Sequence, residues 1–227
     1  MRRILAVLAC MVVFHTAYGQ KEVGLEILSD IRGFYEKNNA FEMSIRYDYF
    51  ENGKLKESLA GEIKAKGALY YSAVGQHQSI NNKNCFLHID GENKRINVFE
   101  SQKMDFKELV KFPVDSTITR IERIQVDTVD GYGRLRVYFQ AGYSVNQSEF
   151  VYHLSNRSLL SYSMHFPSEN SLGKILKINF LKYTKGFNQA KDIFSESPYI
   201  IIKDKDNVLA TKAYANYQVF NFLNLEK

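Results

Sequence analysis

Phe41-Glu42-Met43-Ser44-Ile45-Arg46-Tyr47-Asp48-Tyr49 is the stretch whose reading decides the fold. Its odd positions are apolar or aromatic and its even positions polar. Side chains of a strand point alternately to opposite faces, so a period of two predicts a strand with one buried and one wet face. Just upstream the period is different. Val23, Ile27, Ile31 and Phe34 recur at spacings of four, four and three, with Leu28 and Tyr35 widening the stripe. That predicts an amphipathic helix over Glu22 to Lys37, ended by Asn38-Asn39.

Downstream the period of two persists. Asn52-Gly53 marks a turn. The next apolar set, Leu55, Leu59, Ile63 and Ala65, also stands at odd positions. A two-residue loop pairs odd with even, so a three- or five-residue loop, or a bulge nearby, is expected. Short strands follow over Leu69 to Val74, Gln76 to Ile80, Cys85 to Ile89 and Lys94 to Phe99. Met104 to Lys111 has helical spacing in Phe106, Leu109 and Val110, and Pro113 stops it. Strands resume at Ile118 to Asp127, Arg134 to Gln140, Glu149 to Leu154, Leu159 to Phe166 and Lys174 to Tyr183. Phe150/Met164, Tyr152/Tyr162 and Leu154/Leu160 are expected to pair across a turn centred at Arg157. Tyr199-Ile200-Ile201-Ile202 and Tyr217 to Leu223 read as tail strands around a turn at Asp204 to Asn207. The tail, residues 187–227, is then an edge addition or an arm on a domain spanning 20–186. The sum is a mainly β, α+β chain. It has about eleven antiparallel strands in a strongly curved sheet or unclosed half-barrel, covered by two helices.

Met1-Arg2-Arg3, the apolar run Ile4 to Phe14, and the small-residue exit His15 to Gly19 follow the plan of a secretory signal peptide. Cleavage is expected before Gln20, with export to the periplasm. Val7-Leu8-Ala9-Cys10 offers a lipid-anchored alternative at Cys10. Removing Arg2 and Arg3 lowers the formal charge from +5 to +3. Lysines are scattered and alternate with acids, which speaks against a nucleic-acid partner. The 45% hydrophobic content suffices for a core. Two cysteines exclude a disulfide framework, and a monomer is expected.

The helix, followed by Phe41-Glu42-Met43-Ser44-Ile45, Leu59-Ala60-Gly61-Glu62-Ile63 and Ala65-Lys66-Gly67, resembles the periplasmic lipoprotein carrier family, LolA/LolB-like. Leu87-His88-Ile89-Asp90 and Lys94-Arg95-Ile96-Asn97-Val98 are similar to a strand pair of that family. Carriers place an Arg-Pro pair where Lys66-Gly67 stands here. The resemblance covers roughly residues 20–185 and implies an eleven-stranded open barrel with helices over a cavity for acyl chains. It implies a lipid, acyl chain or lipoprotein as ligand, no cofactor, and an envelope protein as an alternative partner.

On this reading Phe41, Met43, Ile45, Tyr47, Leu59 and Ile63 line the cavity, and Ile27, Ile31, Phe34, Phe106 and Leu109 belong to the lid. A filled core is the equal alternative for the same apolar faces. His77 and His88 are expected directly opposite one another on a hairpin, where two imidazoles could hold a metal; surface histidines are the plainer expectation. His153 and His165 read as structural. Cys85 reads as a small buried hydrophobe on the opposite face, with Ile80, Leu87 and Ile89. Asp204-Lys205-Asp206-Asn207 spaces oxygens like a calcium loop but lacks its glycine and distant glutamate, so a hairpin turn is expected. No catalytic or phosphate-loop motif is present, and the chain is not expected to be an enzyme.

Overall fold

The computed structural model describes residues 20–37, 40–101, 118–167, 173–186 and 192–223. The signal segment and the expected Met104–Lys111 helix, with Phe106, Leu109 and Val110, lie outside them. One α-helix is described, α1 over 20–36. Fourteen strands are described where about eleven were expected. They are β1 (Ala40–Glu51), β2 (Lys54–Lys66), β3 (Leu69–Val74), β4 (His77–Asn81), β5 (Cys85–Asp90), β6 (Arg95–Glu100), β7 (Ile121–Val129), β8 (Tyr132–Phe139), β9 (Gln147–Tyr152), β10 (Leu159–Phe166), β11 (Lys174–Lys185), β12 (Ile200–Ile202), β13 (Val208–Ala210) and β14 (Gln218–Phe222). Twelve are hydrogen-bonded in the open order β14-β6-β5-β4-β3-β2-β1-β11-β10-β9-β8-β7, and β12-β13 form a separate pair. One pairing breaks the expected antiparallel rule, because β14 runs parallel to β6.

The chain forms two compact units, one from described residues within 1–37, 47–58 and 111–179, the other from those within 38–46, 59–110 and 180–227. In the first, α1 buries Gly24, Ile27, Leu28, Ile31 and Tyr35. The buried stripe therefore starts at Gly24, and Val23 is 49% exposed. The cause is contact distance. A Cβ at Gly24 would collide with Ile124 Cγ2 and stand 3.2 Å from Leu135 Cδ1, so only a glycine lets the helix lie this close to β7 and β8. Two polar contacts pin the helix further along. Tyr35 Oη accepts from the Leu159 amide at 3.1 Å, and Arg157 meets Asp30 at 3.5 Å.

Ile124 and Leu135 lie against α1 at Gly24, and Val137, Phe150 and Tyr152 are buried on the same face of the strands. The alternate residues carry charge. Arg134 pairs with Asp127 at 2.8 Å and Arg136 with Glu149 at 2.9 Å, each directly across adjacent strands. The β9–β10 hairpin has a different register from the one expected. Phe150 faces Tyr162 and Ser148 faces Met164. The Arg157 backbone turns with φ 64°, and the His153 amide closes on the Ser158 carbonyl at 2.9 Å. Leu154 lies in this turn and is exposed, so it has no strand partner.

The loop expected between β1 and β2 is shorter than predicted. It is the two residues Asn52 and Gly53, with φ 52° and 72°, the left-handed pair of a tight hairpin turn. Residues of like parity nevertheless meet further along, odd Gly61 against odd Ile45 and even Ser58 donating to even Asp48 at 2.7 Å. A two-residue turn and contacts of like parity are compatible if one extra residue intervenes between them. Asp48 is buried, and its second carboxylate oxygen accepts from Asn179 Nδ2 at 2.6 Å.

Gly24→Ala tests the helix packing. Alanine favours a helix by about 1 kcal/mol over glycine. Overpacking against a β-branched isoleucine costs about 1–3 kcal/mol and should win, so the variant should melt lower. A higher melting temperature would mean that the helix stands off the sheet.

Candidate functional site

Strand register in the second unit sorts side chains into rungs on two faces. On the Ile45 face one rung is Gly61-Val74-His77-Asp90-Arg95, and the next is Ile63-Ser72-Ser79-His88-Asn97. The third is Ala65-Tyr70-Asn81-Phe86-Phe99, which β14 extends with Phe222. Phe99 stands 6.0 Å from Phe86 and 5.0 Å from Phe222 between ring centroids. All three rings are half-buried. The face thus has a polar rung of two serines, a histidine and an asparagine beside an aromatic one.

Of the expected cavity residues, Phe41, Met43 and Ile45 are buried, with Ile45 at 0% exposure. The β2 backbone comes close to Ile45, since a Cβ at Gly61 would lie 2.8 Å from the Ala73 carbonyl oxygen and 3.2 Å from Ile45 Cγ1. Leu59 and Ile63 are half-buried. Tyr47 belongs to the first unit and is half-buried, and burial pushes its phenol above the usual value. Of the expected lid, Ile27 and Ile31 are buried in the first unit, while Phe34 is half-buried and packs edge-on to Tyr35 at 5.0 Å.

His77 and His88 share the Ile45 face but are not directly opposite. The β4–β5 loop is the three residues 82–84, so His77 faces Asp90 and His88 faces Ser79. The rings stack diagonally, 6.0 Å apart with planes at 7°. His77 Nδ1 lies 3.8 Å from Asp90, whose carboxylate is held by the Glu92 and Asn93 amides and Asn93 Nδ2. Among the described residues no group of three or more His, Cys, Asp or Glu is placed to hold a metal. Asp204 to Asn207 forms a turn closed by the Asp206 amide on Asp204 Oδ1 at 2.9 Å.

The opposite face, with Ile80, Cys85, Leu87, Ile89, Ile96 and Val98, is covered by Ile200, Val208 and Leu223 of the tail. Burial drives the Cys85 thiol up to about 12, with Glu196 adding to it, so it stays protonated. Asn82 ties this cover down. Its Oδ1 accepts from the Asn84 and Cys85 amides at 2.8 and 3.0 Å. Its Nδ2 donates to the Phe194 carbonyl and to Glu196 at 2.8 and 2.6 Å. Beside it opens a cleft of about 590 Å³ that includes Lys83, Glu100, Glu196 and Lys205, whose charges offset.

Sequence reading missed Phe86, Phe99, Phe222, Asn82 and Glu196. Phe86 sits in the run Cys85-Phe86-Leu87, apolar on both faces, which hides its side. Phe222 and Glu196 act across long sequence separations, for which no local signal exists.

Asn82→Ala removes four hydrogen bonds and leaves the buried Cys85 amide unanswered, at a cost of about 2–4 kcal/mol. The tail should open more often, which Cys85 reports. Its thiol labelling, followed at the Cys85 peptide, should accelerate before global unfolding, and an unchanged rate would show that the tail is held elsewhere.

No helix among the described residues is long and apolar enough to cross a membrane. No protein-family model matches the chain, and no curated protein matches it. The solved structures similar to it include a LolA superfamily protein from Nitrosomonas europaea, at 8% identity over 77% of this chain and 98% of that one, TM-score 0.36. They include a DUF1329 family protein from Desulfovibrio piger, at 8% identity over 78% and 98%, TM-score 0.42. A third is the MucA/MucB complex of Pseudomonas aeruginosa, at 13% identity over 76% of this chain and 60% of that one, TM-score 0.39.

Proposed function

We propose that the protein is a non-catalytic binding protein of the cell envelope that takes the acyl chain of a lipid or lipoprotein against its Ile45 face. The Phe86-Phe99-Phe222 row carries this reading. Three rings in register are left half-buried on the face whose other end, Phe41, Met43 and Ile45, is sealed. Apolar surface kept partly in water is where an acyl chain gains most by docking. Phenylalanine rings make no hydrogen-bond demand, so they accept chains of differing length. The adjoining rung of Ser72, Ser79, His88 and Asn97 offers hydrogen bonds to the polar end of such a ligand. On this reading the chain lies along the aromatic rung, beside the buried Phe41, Met43 and Ile45.

The full burial of Phe41, Met43 and Ile45 also suits a second reading, an envelope interaction module with no lipid cargo that docks a partner on the phenylalanine row.

A fluorescent fatty acid titrated into the protein lacking residues 1–19 separates the two. Phe99→Ser should weaken probe binding at least about tenfold, roughly 1.4 kcal/mol, with little change in melting. Ile45→Glu should unfold the protein, because a carboxylate at a fully buried site costs several kcal/mol. A parent protein that binds no probe removes the acyl reading and leaves the interaction module.

A further inference from the structure

The twelve-stranded sheet ends in two unlike edges. At one, β14 is five residues long, packs beside β13 and donates Asn221 Nδ2 to the Lys205 carbonyl at 2.7 Å. At the other, β7 runs for nine residues, and no described strand pairs with its outer side. β7 has neither lysine nor proline, two residues that keep such an edge from pairing. Its one register irregularity lies at its start, between Ile121 and Arg123, and it is regular from there to Val129. The direction of its backbone groups follows from β8. The Phe139 amide donates to the Asn146 carbonyl, away from β7. Alternation turns Val137, Leu135 and Gly133 the same way, so their partners Ile124, Val126 and Thr128 hold their N–H and C=O groups outward. Lys21 Nζ, 3.5 Å from the Ile121 carbonyl, meets the edge at its first residue.

We propose that β7 is a homodimer interface, pairing antiparallel with β7 of a second copy about a two-fold axis at Gln125. The strand is complementary to itself in that register. Arg123 faces the partner's Asp127, Ile124 the partner's Val126, and Gln125 the partner's Gln125. Opposite charges directly across a ladder stabilise the pairing, and the two-fold axis supplies the contact twice. Ile124 and Val126 both hold their backbone groups outward, so they exchange hydrogen bonds across the axis. Their side chains then extend the apolar face of Leu135 and Val137. Moving the axis to Val126 sets Arg123 against Val129 and Ile124 against Thr128, and moving it to Ile124 sets Arg123 against Gln125. Both lose the charge match. The charged groups are in reach of a second copy. Arg123 is exposed, and its guanidinium lies 4.1 Å from the centre of the Tyr138 ring. Asp127 keeps 30% of its side chain exposed while bound to Arg134 and Arg136. The inference uses no residue of the phenylalanine row, and it replaces the expected monomer.

Sedimentation velocity of the protein lacking residues 1–19, over about 1–100 μM, should show a monomer–dimer equilibrium. Hydrogen exchange at the Ile124 and Val126 amides should slow as concentration rises. Val126→Pro removes an outward N–H and leaves the β8 ladder its donors, so it should weaken dimerisation at least about tenfold. Arg123→Glu sets like charges opposite one another and should weaken it as much. Arg123→Lys keeps the charge and should weaken it less. If Val126→Pro does not fold, Arg123→Glu takes its place. A monomer across the whole range overturns the proposal. Fast exchange at the two amides in that monomer would mean a bare edge, and slow exchange at every concentration an edge covered by the chain itself. A dimer that leaves the amides unprotected, or that survives both substitutions unchanged, overturns it as well.

Discussion

The apolar surface made by Ile80, Leu87, Ile89, Ile96 and Val98 has to be covered, and the carboxy-terminal residues cover it. Burying each such side chain contributes about 1.5–3 kcal/mol. This cover has structural consequences on both faces of the second unit. It brings Tyr199, Tyr214 and Tyr217 next to one another on one face. It also delivers β14 to the edge of β6, which adds Phe222 to the phenylalanine row on the other. Asn82 holds the arrangement where the tail begins, joining a three-residue loop to Phe194 and Glu196.

In the first unit the governing contact is closer still. Gly24 lets α1 approach Ile124 until no side chain fits between them. A helix in that position is part of the core. Ile27 and Ile31, expected in a lid, therefore have a structural duty as buried core residues. The charged ladder Asp127-Arg134 and Arg136-Glu149 occupies the alternate side of the same strands. Such cross-strand pairs are partly exposed and contribute little individually, but they specify register, since a one-residue slip would set the ladder against the apolar core.

The second unit separates two chemistries by residue parity alone. Phe86 and Leu87 are chain neighbours, yet one joins an open aromatic rung and the other a sealed core. The proposed acyl site follows from this division, because a strand can serve two unlike faces without compromise between them. The stacked histidines share their face with the serine-rich rung, where Asp90 is already occupied by its own turn.

Local pattern was enough for much of this. The alternation from Phe41 to Ile45 places three residues on one buried face, and of the expected helix stripe Ile27, Leu28, Ile31 and Tyr35 are buried, while Phe34 is half-buried and Val23 exposed. The burial of Cys85, the hairpin turn at Asp204 and the mainly β class were equally legible. These depend on periods of two and 3.6 and on turn chemistry, which are properties of neighbouring residues. Registers were less legible. The Asn52-Gly53 turn, the His77/His88 offset and the Phe150/Tyr162 pairing each differ from expectation by a residue or two, because loop length is set by closure of the whole hairpin. What only tertiary structure decided is everything joined across long separations: β14 parallel to β6, Asn82 bound to Glu196, Gly24 against Ile124, and the phenylalanine row. Those contacts are chosen by which surfaces remain uncovered once the strands have paired, and no stretch of sequence carries that information by itself.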